Sequence, residues 1–304
     1  MAEHFADRLL AAIERKGSPV CVGLDPVLDR LPEALRRKFA TFTGEAGRVA
    51  AVRSFCLEVL ELVAPYVPAV KPQSAYFEVF GSAGVAAYEA CVARAHELGL
   101  VVIGDVKRND IGSTAAAYAE GHLKVGAASC PDAVTVNGYL GSDGIKPFIE
   151  QATSAGKGLF VLVRTSNPSA RELQDLATQD GRKVYEHMAS LVASLGASSV
   201  GACGYSHVGA VVGATVPDEA RALRDLMPQQ IVLVPGYGAQ GGTADDAAVS
   251  FKPDGTGGIV NASRSVIFAH TEKQYAGMDW KKAVESAAKA FASDIAAAVK
   301  RRKP

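Results

Sequence analysis

The chain has no excess of either charge, because 32 Lys and Arg side chains balance 32 Asp and Glu side chains. A protein without a net field has no general attraction for nucleic acid or for an anionic membrane surface. The sequence also has no uncharged apolar run long enough to cross a bilayer, and charged residues interrupt residues 1–15, where a signal peptide would need an apolar core. We therefore predict no nucleic-acid partner and no membrane partner, so any anion site must be local.

Cysteine is scarce, and histidine forms no metal-binding pattern. The cysteines are odd in number and widely spaced, which favours free thiols in a reducing compartment and predicts a cytoplasmic location: Cys21, Cys56, Cys91, Cys130 and Cys203. The six histidines show neither HxH nor HExxH spacing, so we predict no histidine metal site. None of them follows a predicted strand closely enough to activate Thr165 or Ser166 as a hydrolase nucleophile.

Short runs rich in Val, Ile and Leu recur along the chain, and most are followed by a segment of helical period. The predicted strands are Val20–Leu24, Ala69–Lys71, Leu100–Asp105, Ala133–Val136, Leu159–Val163, Val208–Gly213, Ile231–Val234 and Gly258–Val260. The predicted helices include Val49–Ala64, Gly84–Glu97, Ala115–Val125, Gly141–Thr153, Arg182–Ala193, Asp218–Leu226, Asp245–Ser250 and Trp280–Val299.

Strands that alternate with helices predict a parallel sheet, because parallel neighbours need crossover connections. Eight such units fit a closed barrel better than an open doubly wound sheet. No Pro-, Gly- or Ser-rich linker divides the chain, so we predict an α/β protein with a single (β/α)8 TIM barrel, in which residues 1–304 form one catalytic domain.

The segment from Gly104 to Asp110 places two carboxylates around one ammonium at the end of an apolar run. Alternate residues of a strand face the same side, so Asp105 and Lys107 are expected to point together, with Asp110 just beyond the strand. Nearby negative charge favours a protonated Lys107, which makes it a candidate acid. The same pattern is compatible with a strand-end salt bridge in which Asp110 or Ser113 caps the next helix.

The other strand ends favour the catalytic alternative, because they are polar and would converge at one mouth of a barrel. The loop Pro235–Gly242 contains Gln240, an amide donor among glycines, and the next strand runs into Arg264. Barrels often bind phosphate after strands seven and eight, so these residues predict a phosphate site. Asp25 and Lys71 suit a hydroxylated ligand, but a turn signal and a solvated strand end explain them equally well.

These motifs resemble one family, orotidine 5′-phosphate (OMP) decarboxylase, in its larger bacterial branch that is often called type 2. The most specific match is Asp105-Val-Lys107-Arg-Asn-Asp110-Ile-Gly-Ser-Thr114. Further matches occur in family order from strand one to strand eight: Gly23-Leu-Asp25-Pro, Val70-Lys71-Pro72, Thr165-Ser166-Asn167-Pro168, Pro235-Gly-Tyr-Gly-Ala-Gln240-Gly-Gly and Ser263-Arg264-Ser265. The departures are Gly138, where this branch has proline after Asn137, and Arg164, where lysine is usual.

The resemblance implies a carboxy-lyase that converts OMP to UMP and CO2 in pyrimidine biosynthesis, without a metal or cofactor. Lys107 would be the proton donor, held by Asp105 and Asp110. The substrate would be bound by Ser166 at the pyrimidine, by Asp25, Lys71 and Thr114 at the ribose, by Gln240 and Arg264 at the phosphate, and also by Asn137. The resemblance further implies a homodimer with shared active sites, in which Asp110, Ile111 and Thr114 reach into the neighbouring subunit.

Two alternatives to this function stay open from the sequence. One is a related Mg²⁺-dependent barrel that acts on a sugar phosphate as a decarboxylase or synthase. The other is a catalytically silent barrel that only binds nucleotide. The set Asp105, Lys107 and Asp110 contains no glutamate of the kind that the Mg²⁺-dependent relatives use, and an intact Lys107 argues against a silent barrel.

Overall fold

The computed structural model describes residues 3–40, 44–127, 129–238 and 241–302. Its eight strands are all parallel to their neighbours and close in sequence order into a barrel, because β1 pairs with both β2 and β8. The strands are β1 (Val20–Leu24), β2 (Ala69–Pro72), β3 (Val101–Arg108), β4 (Ala133–Val136), β5 (Gly158–Arg164), β6 (Val208–Val212), β7 (Val232–Val234) and β8 (Gly258–Ala262).

Most of the helices surround the barrel, and the longer ones bury apolar residues against the strands or against neighbouring helices. They are α1 (Phe5–Lys16), α2 (Glu33–Lys38), α3 (Glu45–Val63), α4 (Ala75–Glu78), α5 (Gly81–Glu97), α6 (Gly112–Leu123), α7 (Ser142–Ala155), α8 (Arg171–Gln174), α9 (Val184–Gly196), α10 (Pro217–Leu226), α11 (Ala244–Ala248), α12 (Arg264–Ile267) and α13 (Trp280–Arg301). The larger apolar core lies between this helical layer and the outward faces of the strands. The predicted (β/α)8 barrel is therefore confirmed.

A second apolar core fills the inside of the barrel, and α1 contributes to it. Phe5 of α1 packs edge-on against Phe160 of β5, with ring centroids 5.9 Å apart. Leu9 of the same helix joins the inward side chains of the strands, including Ile103 and Ile259. This helix was not predicted from the sequence, and it covers the barrel at the end where the strands begin.

The predicted strands agree closely with the observed ones. The bounds of β1 and β4 are as predicted, and the other six strands differ by one to three residues at an end. The largest difference is in β3, which continues to Arg108 instead of ending at Asp105, with an irregular register against β4 between Gly104 and Arg108. A similar shift at β8, which ends at Ala262, places Asn261 inside a strand.

Two further predictions from the sequence concern free thiols and membrane-spanning segments. All five cysteines are free, and four of them are buried. Within the described part of the chain, no helix is long and apolar enough to cross a membrane.

Candidate functional site

A cavity of about 420 Å³ opens where the strands end. Its wall has a polar side, formed mainly by β1 to β4 and β8, and an apolar side from β5 to β7. The lining residues are Asp25, Lys71, Gln73, Asp105, Lys107, Thr135, Leu162, Thr165, Ser166, Asn167, Val211, Leu233, Pro235, Gly236, Tyr237, Asn261, Ser263 and Arg264. The cavity thus brings together Asp25, Lys71, Asp105, Lys107, Ser166 and Arg264 of the predicted site.

Asp105 is the centre of a charged network at the floor of this cavity. Its Oδ2 accepts a hydrogen bond from Lys71 Nζ at 2.5 Å, and its Oδ1 accepts one from Lys107 Nζ at 2.5 Å. The Thr135 hydroxyl donates a third bond to Oδ1 at 2.9 Å. Within one chain the arrangement is therefore one carboxylate between two ammoniums. The second carboxylate predicted beside Lys107 is Asp110 of a neighbouring subunit, and it is not part of this network.

The network keeps its charges in spite of burial. Burial by itself would raise the pKa of the Asp105 carboxyl, but Lys71 and Lys107 outweigh it and hold that pKa well below its usual range. Burial would likewise lower the pKa of Lys71, but the carboxylates of Asp105 and Asp25 raise it above the ordinary lysine value. Both groups are thus ionised at neutral pH, and Asp105 holds the ammonium of Lys107 at the cavity floor.

The backbone at Lys107 is unusual. Lys107 has a φ of +45°, the one positive φ at a non-glycine residue in the described part of the chain. Side chains with a Cβ avoid this region, and such residues concentrate at functional sites. The amide of Lys107 donates to the Thr135 hydroxyl at 3.0 Å, which helps to hold the strained conformation. Unlike the buried Asp105, the Lys107 side chain is 46% exposed and reaches into the cavity.

Asp110 and Thr114 do not line the cavity of their own chain. Asp110 accepts a hydrogen bond from the amide of Ile111 at 2.8 Å, and the structure records no ion pair between Asp110 and Lys107 in the chain as described. Ile111, at the start of α6, exposes 56% of its surface, and Thr114 is also exposed. None of these three residues lines the cavity that contains Lys107 within the described part of the chain.

The loops after β7 and β8 form one end of the cavity. Pro235, Gly236 and Tyr237 line it after β7, and Ser263 and Arg264 line it after β8. Gly236 has a φ of +101°, a conformation that a residue with a Cβ adopts only under strain. Gln240, the predicted amide donor in this loop, lies outside the described residues.

Asn137 is a predicted site residue that the structure does not place in the cavity. The chain leaves β4 at Val136, and the Asn137 side-chain oxygen accepts from the amide of Tyr139 at 3.0 Å, so it stabilises a turn. The preceding inward residue, Thr135, occupies the cavity wall instead.

Arg164, which departs from the family pattern, also has a structural role. It is 1% exposed and pairs with Asp175 at 3.0 Å and with Glu219 at 3.6 Å. Its guanidinium also lies 5.3 Å from the ring centroid of Tyr185. Arg164 therefore ties the segment after β5 to α9 and α10, behind the cavity wall.

Gln73, Thr135 and Asn261 were predicted only as polar residues near strand ends, without a role in the site, and the apolar lining residues Leu162, Val211 and Leu233 were not predicted. The available signal was the strand period: Thr135 and Asn261 each lie two residues after an inward core residue, Ala133 or Ile259.

Comparisons with known proteins agree with this geometry. Residues 18–278 match the model of the orotidine 5′-phosphate decarboxylase / HUMPS family. The chain is 46% identical over 293 residues to an orotidine 5′-phosphate decarboxylase of Rhodopirellula baltica, covering 93% of this chain and 96% of that protein. It is 40% identical to one from Clostridium perfringens, covering 88% and 89%. The structure of Leishmania donovani OMP decarboxylase superimposes with a TM-score of 0.74 at 31% identity, covering 98% of this chain and 99% of that one.

Proposed function

The chain belongs to the orotidine 5′-phosphate decarboxylase / HUMPS family, and on that premise we propose that it converts OMP to UMP and CO2. The observation that carries the proposal is the buried Asp105, which binds Lys71 and Lys107 at the floor of the cavity. Relatives that carry the decarboxylase name match nearly the whole chain, which favours this activity over a sugar-phosphate synthase.

The reaction breaks the bond between C6 of the pyrimidine and the carboxylate carbon. The electron pair stays on C6, CO2 leaves, and a proton from Lys107 Nζ forms the new C6–H bond. Fixed charge aimed at a developing anion is usually the largest contribution to catalysis. Because Lys107 Nζ is already bonded to Asp105, the ammonium needs no reorganisation when the carbanion forms.

The partly exposed Lys107 side chain can regain its proton from solvent after each turnover. Asp105 lies beside the position of the leaving carboxylate in this scheme, so its negative charge also disfavours the bound carboxylate form of the substrate.

The cavity wall supports an orientation for the nucleotide. The pyrimidine would lie between Lys107 and the apolar residues of β5 to β7, with Ser166 bonding its polar edge. The ribose would lie towards Asp25 and Lys71, and the phosphate would bind Arg264 and Gln240. Arg264 offers a bidentate fork for phosphate oxygens at the open end of the cavity.

We also propose that the protein is a homodimer with shared active sites. Asp110, Ile111 and Thr114 lie outside their own cavity, and the exposed apolar side chain of Ile111 suits a buried position against a second subunit. Asp110 of the neighbour would then supply the second carboxylate beside Lys107, and Thr114 would reach the ribose.

Three broader proposals accompany the activity. Residues 1–304 form one catalytic domain, since helices at both ends pack against the barrel. The five free thiols support a cytoplasmic location. A neutral net charge supports a protein without nucleic-acid or membrane partners.

The decisive experiment mixes the purified protein with OMP and follows the loss of pyrimidine absorbance, with and without EDTA. We expect UMP and CO2 to form at the same rate in both, since the proposed reaction uses charged side chains rather than a metal. Loss of turnover in EDTA would favour the Mg²⁺-dependent alternative. Binding of UMP without any turnover of OMP would favour the silent nucleotide-binding barrel.

A further inference from the structure

We propose that Asn261 binds the nucleotide, with its side-chain oxygen accepting a hydrogen bond from a ribose hydroxyl. This inference rests on the proposed function and adds a residue to the same site. Asn261 lies on β8 two residues after Ile259, whose side chain belongs to the core inside the barrel. It therefore faces inward, lines the cavity and is only 7% exposed.

The hydrogen bonds of the Asn261 amide are incomplete. Its Nδ2 donates to the Ser263 hydroxyl at 3.3 Å. Its Oδ1 is buried and has no donor within the described part of the chain. A buried oxygen without a donor is costly, and few occur in native proteins. Because the Asn261 side chain lines the cavity, a donor on the bound ligand would satisfy this oxygen.

The neighbouring strand shows that space is reserved for this amide. β1 pairs with β8 in a register that places Cys21 opposite Asn261. A Cβ on Gly23 would lie 1.9 Å from Ser263 Oγ and 3.3 Å from Asn261 Oδ1. Glycine at position 23 thus lets β1 approach both side chains without filling the space beside Oδ1.

The chemistry of the nucleotide selects the group that bonds this oxygen. Phosphate oxygens are acceptors and cannot satisfy another acceptor. The pyrimidine N–H would lie by Lys107 and Ser166, on β3 and after β5, whereas β8 neighbours β1. Asp25, directly after β1, has a second buried oxygen without a donor, Oδ1. Two such acceptors on neighbouring strands fit the adjacent hydroxyls of a ribose.

The test combines a variant with ligands that lack one hydroxyl. Asn261→Leu keeps the shape of the side chain and removes both polar atoms. Dissociation constants for UMP, 2′-deoxyUMP and 3′-deoxyUMP are measured for the wild type and the variant by calorimetry. We expect the variant to bind UMP about tenfold more weakly, the usual effect of one lost hydrogen bond at a buried site. For the deoxynucleotide that lacks the hydroxyl bonded by Asn261, the variant and the wild type should have the same dissociation constant.

A matched control is Gln230→Met, which removes another buried amide with an unpartnered oxygen, at a position that does not line the cavity. This control should leave the affinities for all three nucleotides unchanged. If Asn261→Leu does not fold, as judged by circular dichroism, Asn261→Ala replaces it in the same comparison.

Equal weakening of all three nucleotides by the Asn261 variant would indicate a structural role and would overturn the inference, as would unchanged binding of UMP. Turnover of OMP by the wild type separates this outcome from a failure of the proposed function. A wild type that neither turns over OMP nor binds UMP would overturn both.

Discussion

Two regions of the cavity differ in how their polar groups are satisfied. Where β2, β3 and β4 end, Lys71, Asp105, Lys107 and Thr135 bond one another within one chain. Where β8 meets β1, buried oxygens of Asp25 and Asn261 have no donor among the described residues. The first region is organised by its own side chains, as charge stabilisation requires. The second has acceptors to spare, as we propose for a region that binds the nucleotide.

This difference predicts separate effects in the two regions. Changes at Asp105, Lys107 or Thr135 should lower kcat with little effect on the affinity for UMP. Changes around β8 should weaken nucleotide binding.

The largest expected loss of kcat is in the β2–β4 region, and it can be used to test the proposed dimer as well. Lys107→Ala should lower kcat on OMP by more than about 10³-fold, because it removes both the fixed charge and the proton donor. Asp110→Ala should also be nearly inactive. Mixing the two variants, with unfolding and refolding to exchange subunits, should restore about a quarter of the wild-type sites through random pairing. The measurement is OMP turnover before and after mixing.

Complementation requires that one active site take Lys107 and Asp110 from different subunits. The control is a mixture of the Lys107→Ala and Asp105→Asn variants. Both groups come from the same chain, so no pairing of these two variants rebuilds a native site. Recovery in that control, or none in the test mixture, would contradict the shared-site arrangement.

The next largest effect is expected at the open end of the cavity. Arg264→Ala should lower kcat/KM for OMP by about 10- to 100-fold, because a charge-assisted bond to phosphate is lost. The same variant should have no effect on any residual activity towards the phosphate-free nucleoside, orotidine. Steady-state kinetics on both substrates measure the difference.

Arg30→Ala is the matched control, because Arg30 shares a neighbouring surface hollow with Arg264 but does not line the main cavity. It bonds Thr271 and should leave both rates unchanged. An equal loss in both arginine variants would indicate a general effect of positive charge rather than a bond to phosphate.

The smallest effect concerns Thr135, whose hydroxyl bonds both the Asp105 carboxylate and the amide of Lys107. Thr135→Val keeps the shape and removes both bonds, so kcat should fall by about tenfold with little change in UMP affinity. Thr135→Ser should restore most of the rate. Kinetics with UMP inhibition separate the two parameters, and weaker UMP binding with an unchanged kcat would place Thr135 in the binding region instead.

The sequence predicts the barrel well because the apolar strands and the strand–helix alternation are local patterns. It also predicts that Asp105 and Lys107 act together, since they are two positions apart on one strand, and their ion pair is observed. It does not predict that Lys71 is the second partner of Asp105, because the two are 34 positions apart in the chain and only the pairing of β2 with β3 brings them together.

The errors in the predicted site arise where strands end, because sequence patterns define strand ends poorly. β8 continues two residues beyond its predicted end, so Asn261 is a buried inward residue rather than part of a loop. Asn137 shows the opposite error: β4 ends before it, and its side chain stabilises a turn. The helix α1 was not predicted, although Phe5, Leu9 and Ile13 recur at helical spacing. The sequence does not reveal locally that this apolar face contacts the barrel interior.

The position of α1 has a consequence for substrate entry and product release. Because Phe5 and Leu9 are buried in the barrel interior, the barrel is closed at the end where the strands begin. Substrate, nucleotide product and carbon dioxide would then enter and leave through the cavity at the other end, where the strands end. In the proposed reaction UMP must leave before the next OMP enters, so we expect UMP to inhibit competitively with OMP.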